Sequence, residues 1–131
     1  MSDRIHQEVD FNASPDRIYR ALTDAKTFAE FSGAGADLPT TPGGAISLFG
    51  GFVTGRIIEL VPDQRVVQAW RGKTWEDGVY SIARFELKAQ GSEKSRIVFD
   101  HTGFPEADRE HLDQGWPRMY WEPLKAYFSK F

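Results

Sequence analysis

None of the 131 residues is cysteine. That excludes disulfides, thiolate nucleophiles and cysteine-bound zinc, and it fits a reducing compartment. Histidine is scarce as well: His6, His101 and His111 are dispersed along the chain, with none at metal-ligand spacing, so no metal is expected. No apolar run reaches the length of a membrane span, and the start, MSDRIHQEVDF, has no signal-peptide run. The expected location is cytoplasmic, with no membrane partner. Basic charge is short too. Sixteen Lys and Arg face 19 Asp and Glu, for a net charge of -3, and the basic residues are scattered, so no nucleic-acid partner is expected. The glycine-rich residues 33–51 have no following Gly-Lys-Ser/Thr and no helix opening there, which removes the phosphate-loop reading. Gly-x-Ser-x-Gly and every other nucleophile elbow are missing. No catalytic residue and no cofactor is assigned.

Aromatic residues are abundant, and they concentrate at one end. Residues 112–131, LDQGWPRMYWEPLKAYFSKF, hold two of the four tryptophans, two of the four tyrosines and two of the ten phenylalanines. At about 100° per residue, Leu112, Trp116, Met119, Tyr120, Pro123, Leu124, Tyr127 and Phe131 form one broad stripe, widened by Phe128 and Trp121 on one side and reaching roughly 220° when counted from Ala126 on the other. Such a helix is buried along most of its length and needs a wide apolar floor. Pro123 should clash with the Met119 carbonyl, so a bend is expected from Met119 to Pro123.

The remaining residues supply the floor. Arg4 to Phe11 alternates, with Ile5, Gln7, Val9 and Phe11 on one face, which predicts a half-buried strand. Ser14-Pro15-Asp16 opens a short helix with Ser14 as cap. Thr23-Asp24 opens a second, in which Phe28 and Phe31 share a face and Gly33 ends the run. Five strands follow, over residues 45–49, 52–61, 65–71, 79–89 and 95–102, joined by short turns. Consecutive strands with short connections make an antiparallel sheet. Helices segregated before and after the sheet make the class α+β, in one domain over residues 1–131. A strongly twisted sheet curls, and the aromatic helix fills the curl.

Several stretches are similar to a known family. SPDRIYRALTDAKTFAEF resembles the first helices of the START-like (SRPBCC) superfamily, which includes birch-pollen-allergen-type proteins. GRIIELVPDQRVVQAWR resembles its strand–Pro–strand hairpin, with Trp70 in the tryptophan position. RIVFDHTGFP and LDQGWPRMYWEPLKAYF resemble its final strand and its Gly-Trp helix. The loop WRGKTWEDG points to one branch, the C-terminal domain of the activator of heat-shock-protein-90 ATPase. The resemblance implies the helix-grip fold: a curved antiparallel sheet of about six strands wrapped around a long C-terminal helix. It implies a chaperone-related, stress-response role, with a heat-shock chaperone as possible partner. The eukaryotic co-chaperones carry a separate N-terminal domain, for which no counterpart is expected in this chain.

Within that fold, Phe49, Phe52, Trp70, Phe85, Phe99, Trp116, Met119 and Tyr120 are candidates to line a cavity between sheet and helix, where a hydrophobic small molecule would bind. The plainer reading is that they fill the core. His101 shares the inward face of Ile97 and Phe99. It is either a polar anchor for a ligand, with Tyr120, or a satisfied core histidine. Asp100 points the other way, so the two cannot form a direct dyad. Trp75, in a glycine-flanked charged loop, is either an exposed interface anchor or a cover over the pocket mouth. Glu106, Asp108 and Glu110 read as a solvated helix start. Three classes of function follow: a non-catalytic module binding a hydrophobic small molecule, a co-chaperone-like protein-interaction module, and a polyketide-cyclase or dehydratase type of enzyme relying on His101.

Overall fold

The computed structural model describes residues Arg4–Ser129; Phe131, placed on the terminal stripe above, lies outside them. The first strand, β1 (Arg4–Phe11), alternates as its sequence does. Ile5 and Phe11 are buried, while His6, Glu8 and Asp10 face outward. Helices α1 (Pro15–Thr23) and α2 (Ala25–Ser32) follow. Asp24 caps α2 by accepting from the Thr27 amide at 3.0 Å, and Gly33 closes it in the left-handed conformation, φ 74°. Ser14 does not cap α1. Its hydroxyl donates to the Asp16 carboxylate instead, and Pro15 already removes one orphan amide from the first turn.

The sheet is completed by β2 (Ala36–Asp37), β3 (Ala45–Leu48), β4 (Val53–Val61), β5 (Arg65–Gly72), β6 (Ser81–Ala89) and β7 (Ser95–Thr102). Every pairing is antiparallel, in the order β1-β7-β6-β5-β4-β3-β2. Among the described residues there are therefore seven strands against the expected six or so. The extra one, β2, is two residues long and lies in the glycine-rich stretch, where hydrophobic periodicity carries no signal. The inward faces are apolar and continuous: Ile57 on β4, Val66 on β5, Ala83, Phe85 and Leu87 on β6, Ile97 and Phe99 on β7. A bulge between Ile57 and Glu59 interrupts the β4–β5 register. Such a bulge adds bend and twist to a sheet that curves around its helix.

After a 3₁₀ turn at Glu106–Asp108, the chain runs helically through α3 (Arg109–Trp116), a π turn (Pro117–Trp121) and α4 (Glu122–Phe128). The expected bend takes the form of this π turn. The Glu122 amide reaches five residues back to the Pro117 carbonyl, and Trp116 and Glu122 both keep right-handed helical angles. A wider turn accommodates two prolines in one helical run without breaking it. It also redistributes the side chains. Tyr120 and Trp121 are both buried, and Met119, expected on the buried stripe, is turned out and 42% exposed.

The helix is fastened at both ends. On β1, Gln7 accepts from the Trp121 indole at 2.6 Å and donates to Asp113 at 3.0 Å, gripping the π turn and α3 together. Farther along, α4 packs on α2 and β1, and Tyr127 donates its hydroxyl to Glu30 of α2 at 2.7 Å. Under the sheet's mid-line, α1 packs on β5 and β6.

Gly55 shows how closely β4 and β5 approach. A β-carbon there would lie 1.8 Å from the Ala69 carbonyl oxygen. Gly55→Ala must therefore push the two strands apart. The expected loss is about 3 kcal/mol or more, at or beyond the top of the usual overpacking range, read as the shift in urea-unfolding free energy.

Candidate functional site

Trp116 is the centre of the interior. Its indole lies 4.3 Å from the Phe99 ring, 4.6 Å from Tyr120, 5.1 Å from Trp70 and 5.8 Å from Phe85, centroid to centroid. Contacts of this kind add about 0.5–1.5 kcal/mol per aromatic pair beyond area burial. Phe85 and Phe99 are almost fully buried at 1% and 0% exposure. They pack against the helix and each other and do not line the cavity, contrary to expectation: β6 and β7 lie under the buried side of the helix.

His101 is likewise a core residue and not a cavity anchor. It is fully buried. The Trp116 indole N–H donates to His101 Nδ1 at 3.1 Å. An indole can only donate, so Nδ1 must accept and the ring proton sits on Nε2. That nitrogen donates to the Ser81 hydroxyl at 2.6 Å, and Ser81 in turn faces the Trp70 carbonyl at 3.3 Å. Both ring nitrogens are committed. Burial pushes the histidine down to about 3, so it stays neutral. The one histidine assigned to a possible enzyme is thereby held as a fixed structural relay.

The cavity opens on the other side of Trp116. It is a pocket of about 670 Å³, bounded by the β3–β4 connection, the end of β5, the loop after β5, and α3 with the π turn. Phe49, Phe52, Trp70, Trp116, Met119 and Tyr120 line it. Phe52 and Met119 stand at the mouth, 49% and 42% exposed. Tyr120 is deep, with edge contacts to Phe28 and Phe49, and burial raises its phenol above the ordinary value.

Trp75 is not exposed; it is 7% accessible and forms part of the pocket wall. The reason is local. Gly72 has no side chain, and the Trp75 ring lies against its α-carbon; a β-carbon there would come within 2.8 Å of the indole nitrogen. Trp75 meets Trp70 edge-on at 6.5 Å and donates its N–H to the Asp108 carboxylate. Arg71 holds the loop by donating to the carbonyls of Trp75, Glu76 and Val79. An interface anchor at Trp75 is thus ruled out by its burial, and Asp108 is a latch for that indole.

Sequence reasoning missed four pocket-lining residues of α3 and the π turn: His111, Leu112, Gly115 and Arg118. It also missed Gln68. That residue alternates with Val66 and Trp70 on the inward face of β5, so the period of two could have flagged it. Gln68 Oε1 and Trp70 Nε1 are buried without a hydrogen-bond partner among the described residues, at a cost of about 1–3 kcal/mol each. Among the described residues no three His, Asp or Glu side chains come together as a metal site, and no helix is long and apolar enough to cross a membrane.

Comparison with known proteins gives a consistent picture. Residues 12–129 match the family model described as "Activator of Hsp90 ATPase homolog 1-like protein". The activator of 90 kDa heat shock protein ATPase homolog 1 from Homo sapiens is 30% identical over 119 residues, which cover 91% of this chain and 35% of that protein. The chain therefore spans about a third of the length of the curated relatives it matches. Among solved structures, an HSP90 activator from Plasmodium falciparum superposes with a TM-score of 0.91 at 20% identity, covering 98% of this chain and 97% of that one. The Aha1 dimer from Colwellia psychrerythraea gives 0.81 at 21% identity, covering 98% and 96%. At these identities the two structures speak for the fold alone.

The relay through His101 predicts a pH dependence. The unfolded histidine titrates near 6.5 and the folded one near 3. Between those values the unfolded chain holds a proton that the native chain does not. The stabilisation is complete above 6.5 and is lost as pH falls, by about 1.4 kcal/mol per pH unit. His6, raised by its hydrogen bonds to Asp100 and Glu8, works in the opposite sense above 6.5. Comparison with His101→Gln isolates the buried group, because His6 is common to both. Urea unfolding from pH 7 to 4 should show the steeper decline in the wild type; equal slopes would contradict the assignment.

Proposed function

The chain belongs to the activator of Hsp90 ATPase homolog 1-like family, and from that premise we propose that it is a START-like binding domain without chemistry of its own, holding a hydrophobic small molecule between its sheet and its C-terminal helix. The observation that carries this reading is the pocket beside Trp116. Its volume of about 670 Å³ falls within the ~300–1,000 Å³ usual for small-molecule sites. Its walls are mainly apolar, with six aromatic side chains among them, and its charged groups are few: Asp108, tied to Trp75, and Arg118. A wide apolar mouth with Phe52 and Met119 half exposed suits an occupant that covers them.

Gly115 offers the test. It lines the pocket, and a β-carbon built on it meets no atom within 4 Å. Gly115→Leu fills the pocket from the helix without disturbing the core. It removes a helical glycine, which is expected to raise stability by about 0.5–1 kcal/mol. The same substitution should weaken binding of the fluorescent probe 1-anilinonaphthalene-8-sulfonate at least tenfold. Unchanged probe affinity in a folded Gly115→Leu protein would remove the pocket reading.

A second reading is a protein-interaction module acting on an Hsp90-type chaperone. Similarity to the human activator over 91% of the chain supports it. The matched region is 35% of that protein, so the partner and the activity of the whole do not come with the fold. The measurement is the steady-state ATPase rate of an Hsp90-type chaperone with added protein. A rise saturating with protein concentration is expected on this reading; an unchanged rate at tenfold excess would end it.

A further inference from the structure

The pocket has a polar strip beside its apolar wall, and the strip belongs to the helix. His111, Gly115 and Arg118 all line the pocket. Spaced by four and three residues, they fall on one face of the helical run. Between the two polar side chains the wall is bare: a β-carbon built on Gly115 meets no atom within 4 Å. A ligand head group lying over Gly115 is within about one helical turn of both.

Arg118 is exposed, and its guanidinium takes part in no ion pair or hydrogen bond among the described residues. Exposed arginines elsewhere are engaged: Arg84 binds Glu86 at 2.6 Å and Arg96 binds Asp10 at 2.7 Å. Glu122, one turn beyond Arg118, does not line the pocket. The one acidic side chain of the wall is Asp108, and its carboxylate accepts from the Trp75 indole. Asp108 and Arg118 are ten residues apart, about 15 Å along a helix, which exceeds the ~8 Å screening length at physiological ionic strength. The end of the pocket at Arg118 therefore carries an uncompensated positive charge.

That charge selects among ligands. A cationic ligand is repelled there, and an uncharged one gains nothing from the guanidinium. A carboxylate gains, because the planar guanidinium presents paired N–H donors at the spacing of its two oxygens. We propose that the occupant of the pocket is a hydrophobic carboxylic acid bound as its anion, with its apolar body against Trp70, Trp116 and Met119 and its carboxylate on Arg118. This rests on the small-molecule reading given above and names the ligand class for it.

The test compares 2-naphthoic acid with 2-naphthamide by isothermal titration calorimetry at neutral pH. The amide keeps the rings and the size of the head group and loses the charge. At low ionic strength the wild type should bind the acid about fivefold tighter, or about 1 kcal/mol, the upper end of what a solvent-facing ion pair contributes. Raising sodium chloride from about 20 to 500 mM should shrink that ratio. Arg118→Gln should bring it below about twofold while leaving the affinity for the amide unchanged. Because Arg118 is exposed and unpaired, this variant keeps the fold. A wild-type ratio below twofold, or a ratio that neither salt nor Arg118→Gln reduces, overturns the carboxylate assignment and leaves the pocket reading intact. Failure of both compounds to bind or to displace the fluorescent probe removes the pocket reading, and this assignment with it.

Discussion

The hydrogen bond from the Trp116 indole to His101 decides where the helix lies. It joins the helix to β7, and through Ser81 to β6 and the backbone of β5, within the driest part of the molecule. Each such bond contributes about 1 kcal/mol net, while leaving either partner buried and unpaired costs about 1–3 kcal/mol. The relay therefore acts less as glue than as a constraint on position. Sliding the helix along the sheet, or rolling it, would strand an indole proton and a lone pair in an apolar interior. Apolar packing alone would tolerate several neighbouring placements; the polar relay selects one.

That selection makes the cavity. With Trp116 fixed over Phe99 and His101, one flank of the helix packs its rings onto β6 and β7. The opposite flank is left facing the connection between β3 and β4 and the loop after β5. The glycine-rich connection is too short of side chains to close that gap. Trp75, laid on Gly72 and latched to Asp108, closes part of it and leaves the rest as the pocket. Core and pocket thus meet at Trp116, which packs on Phe85 and Phe99 and also lines the pocket.

Much of this was legible in the residues, and the exceptions have physical causes. Strands β1 and β7 were readable to the residue, because alternation is a local property and both are half exposed. The inward face of His101 followed from the same alternation. Its partner did not, since Trp116 lies on another element and only tertiary packing brings the rings together. Met119 falls on the buried stripe of an ideal helical wheel, but the π turn at Pro117–Trp121 changes the angular advance and swings it out. For Trp75 the charged loop left two readings open, an exposed anchor and a cover over the pocket mouth, and the structure takes the second. Burial was decided by the missing side chain at Gly72 and by the carbonyl-binding Arg71, whose contacts no periodicity reveals. Which aromatics line the cavity and which fill the core was equally beyond the sequence, because both kinds sit at the same inward positions of strand and helix.

The pairing of β1 with β7 has a consequence for how the chain reaches this structure. Arg4 lies opposite Thr102 and Phe11 opposite Ser95, so β1 has no partner until the other strands of the sheet have been made. The helix that covers the sheet is later still. Until then β1 offers an unpaired edge and the sheet an uncovered apolar face, the two features that promote association between nascent chains. Contacts of such long sequence separation also slow the search for the native arrangement. Strand β7 and the helical run that directly follows it supply the partner strand and the cover, so the closing of the sheet and the docking of the helix depend on neighbouring stretches of sequence.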